Sequence, residues 1–188
     1  WITHHHLMPP YMLLCNAIKP YWIEECMQII PFNAEIARDA FDCGEPALNH
    51  YLQQLAGQHS RKNISRTFIA LDHEVVKGFY SLSMAESQLA DLPTNTRKKL
   101  PPQYPVARLS RLAVDKICQG QRLGELLLMN ALARCARISG EIGTVGIIVD
   151  AKHEQAQQFY QNYGFTPYTT KPLTLFIPMQ TVIKSLSV

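Results

Sequence analysis

No C-x-x-C pair occurs in the 188 residues, although the chain carries five cysteines, Cys15, Cys26, Cys43, Cys118 and Cys135. An odd count without paired spacing argues against a disulfide framework or a zinc site and fits a reducing, cytosolic setting. No apolar run approaches the ~18 residues that would cross a bilayer. The apolar stretch 11–15 is too short for a secretory leader, and no basic residues precede it. No glycine-rich loop ends in Gly-Lys-Ser/Thr and no G-x-G-x-x-G occurs, so neither a P-loop nor a dinucleotide fingerprint is present. Internal repeats and low-complexity tracts are also missing. Charge is modest: 18% of residues are charged and the net charge is +3. That basic bias is compatible with a polyanionic partner and does not by itself indicate one.

What is present suits one globular domain, since domains run to about 100–200 residues. Residues 1–26 stand apart. They mix His4, His5 and His6 with prolines and show no hydropathy period. Adjacent histidines on an extended chain diverge, so no metal site is expected there. Met27 reads as the natural start, with 1–26 a poorly ordered or non-native extension and 27–188 the folded domain.

Within 27–188 the periodicities alternate between helix and strand. Leu48, Tyr51, Leu52 and Leu55 form one stripe of a helix over 45–58, with Pro46 in its first turn, where a missing N–H does no harm. Residues 65–71 and 75–84 are β-branched and aromatic around a short polar turn, which predicts an antiparallel hairpin. Residues 92–105 carry Pro93, Pro101, Pro102 and Pro105 and are expected to hold no regular element. A strand over 106–114, a helix over 123–138 and a nearly continuous apolar strand over 144–149 make a parallel crossover unit. A helix over 154–163, ended by Gly164, and short strands over 165–168 and 173–177 complete an α/β fold with a mixed sheet.

The chemically suggestive segment is the bend from Gln119 to Gly124, through Gly120, Gln121, Arg122 and Leu123, between that strand and the 123–138 helix. The first turn of a helix has unpartnered N–H groups and a dipole that favours negative charge. Such a bend suits a phosphate or diphosphate. A turn that merely joins two elements remains open on this segment alone.

Taken with their surroundings, these residues resemble the GNAT superfamily of N-acetyltransferases. Gln119-x-x-Arg122-x-Gly124 is similar to its Gln/Arg-x-x-Gly-x-Gly/Ala diphosphate loop, with Arg122 where the first glycine stands. Leu112-Ala113-Val114 matches the strand whose backbone bonds the pantetheine arm, and Ala156-x-x-Phe159-Tyr160-x-x-x-Gly164-Phe165 matches a downstream helix signature. The blocks Phe41–Leu48, Ser65–Phe68, Gly78–Leu82 and Arg111–Asp115 narrow the resemblance to the GNAT-type toxins of bacterial toxin–antitoxin pairs.

The resemblance implies a GNAT fold whose central sheet splays between its fourth and fifth strands, with flanking helices. It implies acetyl-CoA as cosubstrate and no metal. Leu112, Ala113, Val114 and the residues from Gln119 to Gly124 would hold acetyl-CoA. Tyr160 would protonate the departing thiolate; on periodicity alone it reads rather as a core aromatic. Tyr163 reads as packing, and Asp115 and Asp150 as caps rather than bases. The family acetylates the free amine of aminoacyl-tRNA and so blocks translation in the bacterial cytoplasm. Its members form homodimers, are neutralised by a ribbon-helix-helix antitoxin, and reach operator DNA through that antitoxin, with no membrane involved. Arg61, Lys62, Arg66, Arg97, Lys98, Lys99, Arg108, Arg111 and Arg134 are candidates for tRNA contact. A GNAT enzyme for a small amine or a protein N-terminus shares the same residues. A non-catalytic module that binds CoA or an antitoxin is a third reading, kept open by Arg122.

Overall fold

The computed structural model describes residues 27–94, 97 and 100–186. The expected extension 1–26 and its histidines lie outside the described residues, as do Lys98 and Lys99. Seven strands form one sheet in the order β1-β2-β3-β4-β5-β7-β6: β1 (Met27–Pro31), β2 (Arg66–Asp72), β3 (Val75–Gln88), β4 (Gln103–Val114), β5 (Gly146–Asp150), β6 (Thr166–Pro167) and β7 (Thr174–Pro178). Only β4 and β5 run parallel; the other neighbours are antiparallel.

The β2–β3 hairpin closes over His73 and Glu74, at φ 45° and 68°. Two successive left-handed residues give the turn whose twist matches that of paired strands. Strand β4 begins earlier than its prolines suggest, and the expectation of a structureless 92–105 is corrected at its end. Pro105 pairs with Glu86 of β3. Its carbonyl accepts from Val145 N–H, so its nitrogen also faces the β5 side. The β4–β5 ladder starts only at Ala107, and the missing N–H removes no ladder bond.

The first helix, expected as continuous, runs as α1 (Pro46–His50), a π-helical turn (Tyr51–Leu55) and α2 (Ala56–Arg61). A π turn widens the hydrogen-bond ring and releases carbonyls from the α pattern. Arg38 supplies donors there: its Nε lies 3.2 Å from Leu52 O and 3.3 Å from Gln53 O. Tyr51 and Leu52 are driven into a core with Phe41, Ile69, Phe79 and Ala113. On the opposite sheet face, α3 (Leu123–Ile138), α4 (Glu154–Asn162) and α5 (Met179–Leu186) bury Leu127, Leu128, Tyr160 and Val182 against Leu109, Ile147 and Leu175. The stripe expected on α3 is half-buried at Gly124, buried at Leu127, Leu128, Ala131 and Cys135, and emerges at Ile138. β1 and α5 carried no expectation from the sequence.

Candidate active site

Strands β4 and β5 pair over three residues, Ala107↔Ile147 to Leu109↔Val149. β4 then continues to Val114 while β5 ends at Asp150. From Ser110 onward, the β4 edge that faces away from β3 has no strand beside it. A cavity of about 370 Å³ lies there. Its lining includes Leu112, Ala113, Val114, Gln119 and Tyr160 from the sequence-derived set. It also includes Cys43, Glu45, Lys152 and His153, to none of which the sequence assigns a site role; Cys43 and Glu45 reach the cleft from the loop before α1, far from β4 in the chain.

Tyr160 is 7% exposed and its ring meets Phe159 and Phe165 edge-on. Its hydroxyl forms no hydrogen bond with any described residue. Burial pushes the phenol above its ordinary value, which keeps it protonated at neutral pH. Tyr163 is absent from the cavity lining. It packs on Phe159, and burial, then the nearby Glu125 carboxylate, push its phenol up to about 12.

The bend lies beyond the end of β4. Among the described residues, the N–H groups of residues 120–124 engage no acceptor. They lead into and open a 16-residue helix, so amides and dipole act together on an anion. Gly120, at φ 74°, would carry a Cβ into open space. A Cβ on Gly124 would meet Val114 at 3.7 Å and Leu112 and Phe159 at 4.0 Å. Leu123 is a core residue and presents only main chain. The Gln121 side chain donates to Ile117 O.

Arg122 sits at φ 67°, ψ 9° as the N-cap of α3. The backbone there is left-handed, the conformation glycine favours, although arginine replaces the motif's glycine. An L side chain there costs about 1 kcal/mol or more. The guanidinium turns along the helix to grip the Glu125 carboxylate, at 2.8 Å from Nε and 2.9 Å from the terminal nitrogen.

Neither aspartate is free to act as a base. Asp115 accepts from Ile117 N–H and Asp42 N–H, and Asp150 is paired with Arg108 and the Thr174 hydroxyl. The basic residues scatter. Arg66 holds Ser60 and Asn63, Arg97 caps two carbonyls, and Arg134 binds the Tyr80 hydroxyl above Phe68.

A family model for the acetyltransferase (GNAT) domain matches residues 47–182. This chain belongs to the GNAT acetyltransferase family. The GNAT fold and acetyltransferase class that the motifs imply are thereby met. A protein from Mycobacterium tuberculosis called tRNA-acetylating toxin is 38% identical over 141 residues, covering 75% of this chain and 85% of its own. The structure of AtaT complexed with acetyl-methionyl-tRNAfMet superposes with a TM-score of 0.81 at 31% identity, over 86% of this chain and 99% of that one. An AtaT mutant bound to the C-terminus of its antitoxin AtaR and to acetyl-CoA superposes at 0.74 with 27% identity, over 86% of this chain and 99% of that one. Among the described residues of this GNAT chain, no helix is long and apolar enough to cross a membrane.

Proposed function

We propose that this acetyltransferase moves the acetyl group of acetyl-CoA to the free α-amine of an aminoacyl-tRNA. In this reading it is a translation-blocking toxin of the bacterial cytoplasm, a homodimer held in check by a ribbon-helix-helix antitoxin that carries it to operator DNA. One observation carries the chemistry. Tyr160, whose hydroxyl is unbonded among the described residues, and the unpaired β4 edge at Leu112–Val114 line the same cavity, next to a bend of free amides. The toxin relatives support the choice of acceptor.

The amides of residues 120–124 would hold the diphosphate, and the β4 edge would pair with the pantetheine arm. That arrangement lays the thioester in the gap between β4 and β5. The neutral amine attacks the thioester carbon, and a backbone N–H of Leu112–Val114 stabilises the resulting oxyanion. The carbon–sulfur bond breaks, and the thiolate takes the Tyr160 proton. The phenolate then recovers the proton released as the amide nitrogen forms, so the amine's proton ends on CoA sulfur.

Incubation with labelled acetyl-CoA and charged tRNA tests the reading. Label in an N-acetylated aminoacyl-tRNA is the expected result. Label only on small amines or protein N-termini would reassign the acceptor, and no transfer would leave a binding module.

A further inference from the structure

The pairing of β3 with β4 shifts one residue between Ser81↔Arg111 and Leu82↔Leu109, which leaves Ser110 as the bulge. Past it, Leu112 and Val114 pack towards α3 and α4. Ala113 packs on the opposite face with Phe41, Tyr51 and Phe79, and Arg111 shares that face. Its guanidinium carbon lies 3.7 Å from the centre of the Tyr51 ring. That platform is fixed: Tyr51 is 1% exposed, and its hydroxyl is bonded to Ser65 and Thr67 at 3.1 and 3.0 Å.

The charged side chains that line the cavity are Glu45, Arg111, Asp150 and Lys152. Glu45 pairs with Lys152, and Asp150 with Arg108. Among the described residues, Arg111 forms no hydrogen bond and no ion pair. A guanidinium is always charged and carries its donors in its plane, in a fork that matches phosphate. Stacking on a ring occupies the faces and leaves those edges free. The cleft therefore offers one rigid, uncompensated cation, on the sheet face opposite the helix that begins at the diphosphate bend. In an aminoacyl-tRNA the anion nearest the α-amine is the phosphodiester joining the last two nucleotides.

We propose that Arg111 is a specificity residue that receives this terminal phosphodiester and so seats the α-amine at the thioester. The inference rests on the tRNA reading above.

The test combines R111Q and R111K with charged tRNA whose last phosphodiester is replaced by an uncharged methylphosphonate. On the wild-type protein, the replacement should lower kcat/KM by about 10-fold or more, the range for a charged hydrogen bond. R111Q should show a similar loss on native tRNA and little further loss on the methylphosphonate, as coupled partners do. R111K, with a point charge and no fork, should fall between. Acetyl-CoA affinity should hold in both variants, which also reports that they fold. Equal wild-type rates on the two tRNAs would overturn the inference without any variant. Full additivity of the two changes, or loss of acetyl-CoA binding in folded R111Q, would overturn it as well. Wild-type protein that acetylates no charged tRNA sinks the tRNA reading and this inference together.

Discussion

The side-chain amide of Gln119 lies 3.0 Å from the carbonyl oxygen of Cys43, seventy-six positions earlier in the chain. The same nitrogen reaches Val114 O at 3.0 Å. One residue thus ties the wall made by the Phe41–Glu45 loop to the end of β4. Asn49 secures that loop from the other side, accepting from Cys43 N–H and donating to Asp42. Gln119→Leu removes both bonds, each worth about 1 kcal/mol net. The expected outcome is a loss of about 1–2 kcal/mol in urea unfolding, with weaker acetyl-CoA binding by calorimetry because the cleft wall is released.

Tyr160→Phe keeps the ring among Phe159 and Phe165 and deletes only the hydroxyl. Turnover should fall by about 10²-fold or more, the usual scale for a proton donor, with acetyl-CoA affinity nearly intact. Tyr163→Phe is the control. Its phenol faces Glu125 rather than the cleft, so kcat should barely move. An unchanged rate for Tyr160→Phe would refute its assignment as the acid.

Arg122 permits a clean separation of backbone from side chain. Arg122→Ala keeps the left-handed strain and loses the Glu125 contact; Arg122→Gly loses both. The glycine variant should be the more stable of the two by about 1 kcal/mol. Against wild type the glycine change should be close to neutral, since the Arg122–Glu125 pair is partly exposed and such pairs contribute about 0–1 kcal/mol. Wild-type protein should bind acetyl-CoA. A titration with no uptake, restored by Arg122→Gly, would show that the arginine blocks the loop.

Gly146 starts β5 where no side chain fits. A Cβ there would lie 2.4 Å from Ile177 O and 2.4 Å from the Phe176 ring. Gly146→Ala should destabilise the fold by about 1–3 kcal/mol or more, as overpacked cores do. A melting temperature equal to wild type would mean that β5 and β7 can part freely.

Alkaline pH should unfold the protein early. Burial pushes the Cys135 thiol up to about 12, and burial with Glu125 does the same to Tyr163. Their ordinary values are 9.0 and 10.0. Between ordinary and raised values the unfolded chain has released protons that the folded chain still holds. It binds fewer protons, so stability falls as pH rises. Urea midpoints should therefore decline above about pH 9, and Tyr163→Phe should flatten the decline above about pH 10.

The sequence alone determined the elements whose physics is local. Leu127, Leu128, Ala131 and Cys135 recur at helical spacing, and α3 runs over the residues that spacing marks. Gly164, at φ 88°, ends α4 where its motif placed it. The bend at 119–124 was legible because glycines before an amphipathic run signal free helix-terminal amides. Only the tertiary structure decided the π turn at Tyr51–Leu55, because Arg38, which satisfies its carbonyls, comes from a different loop. It also decided the tolerance of Pro105 within β4, which depends on where β5 begins to pair. The isolation of Arg111 is decided the same way. A charge's partners are set by distance in space: Arg108 meets Asp150 across the β4–β5 ladder and Glu45 meets Lys152 across the cleft.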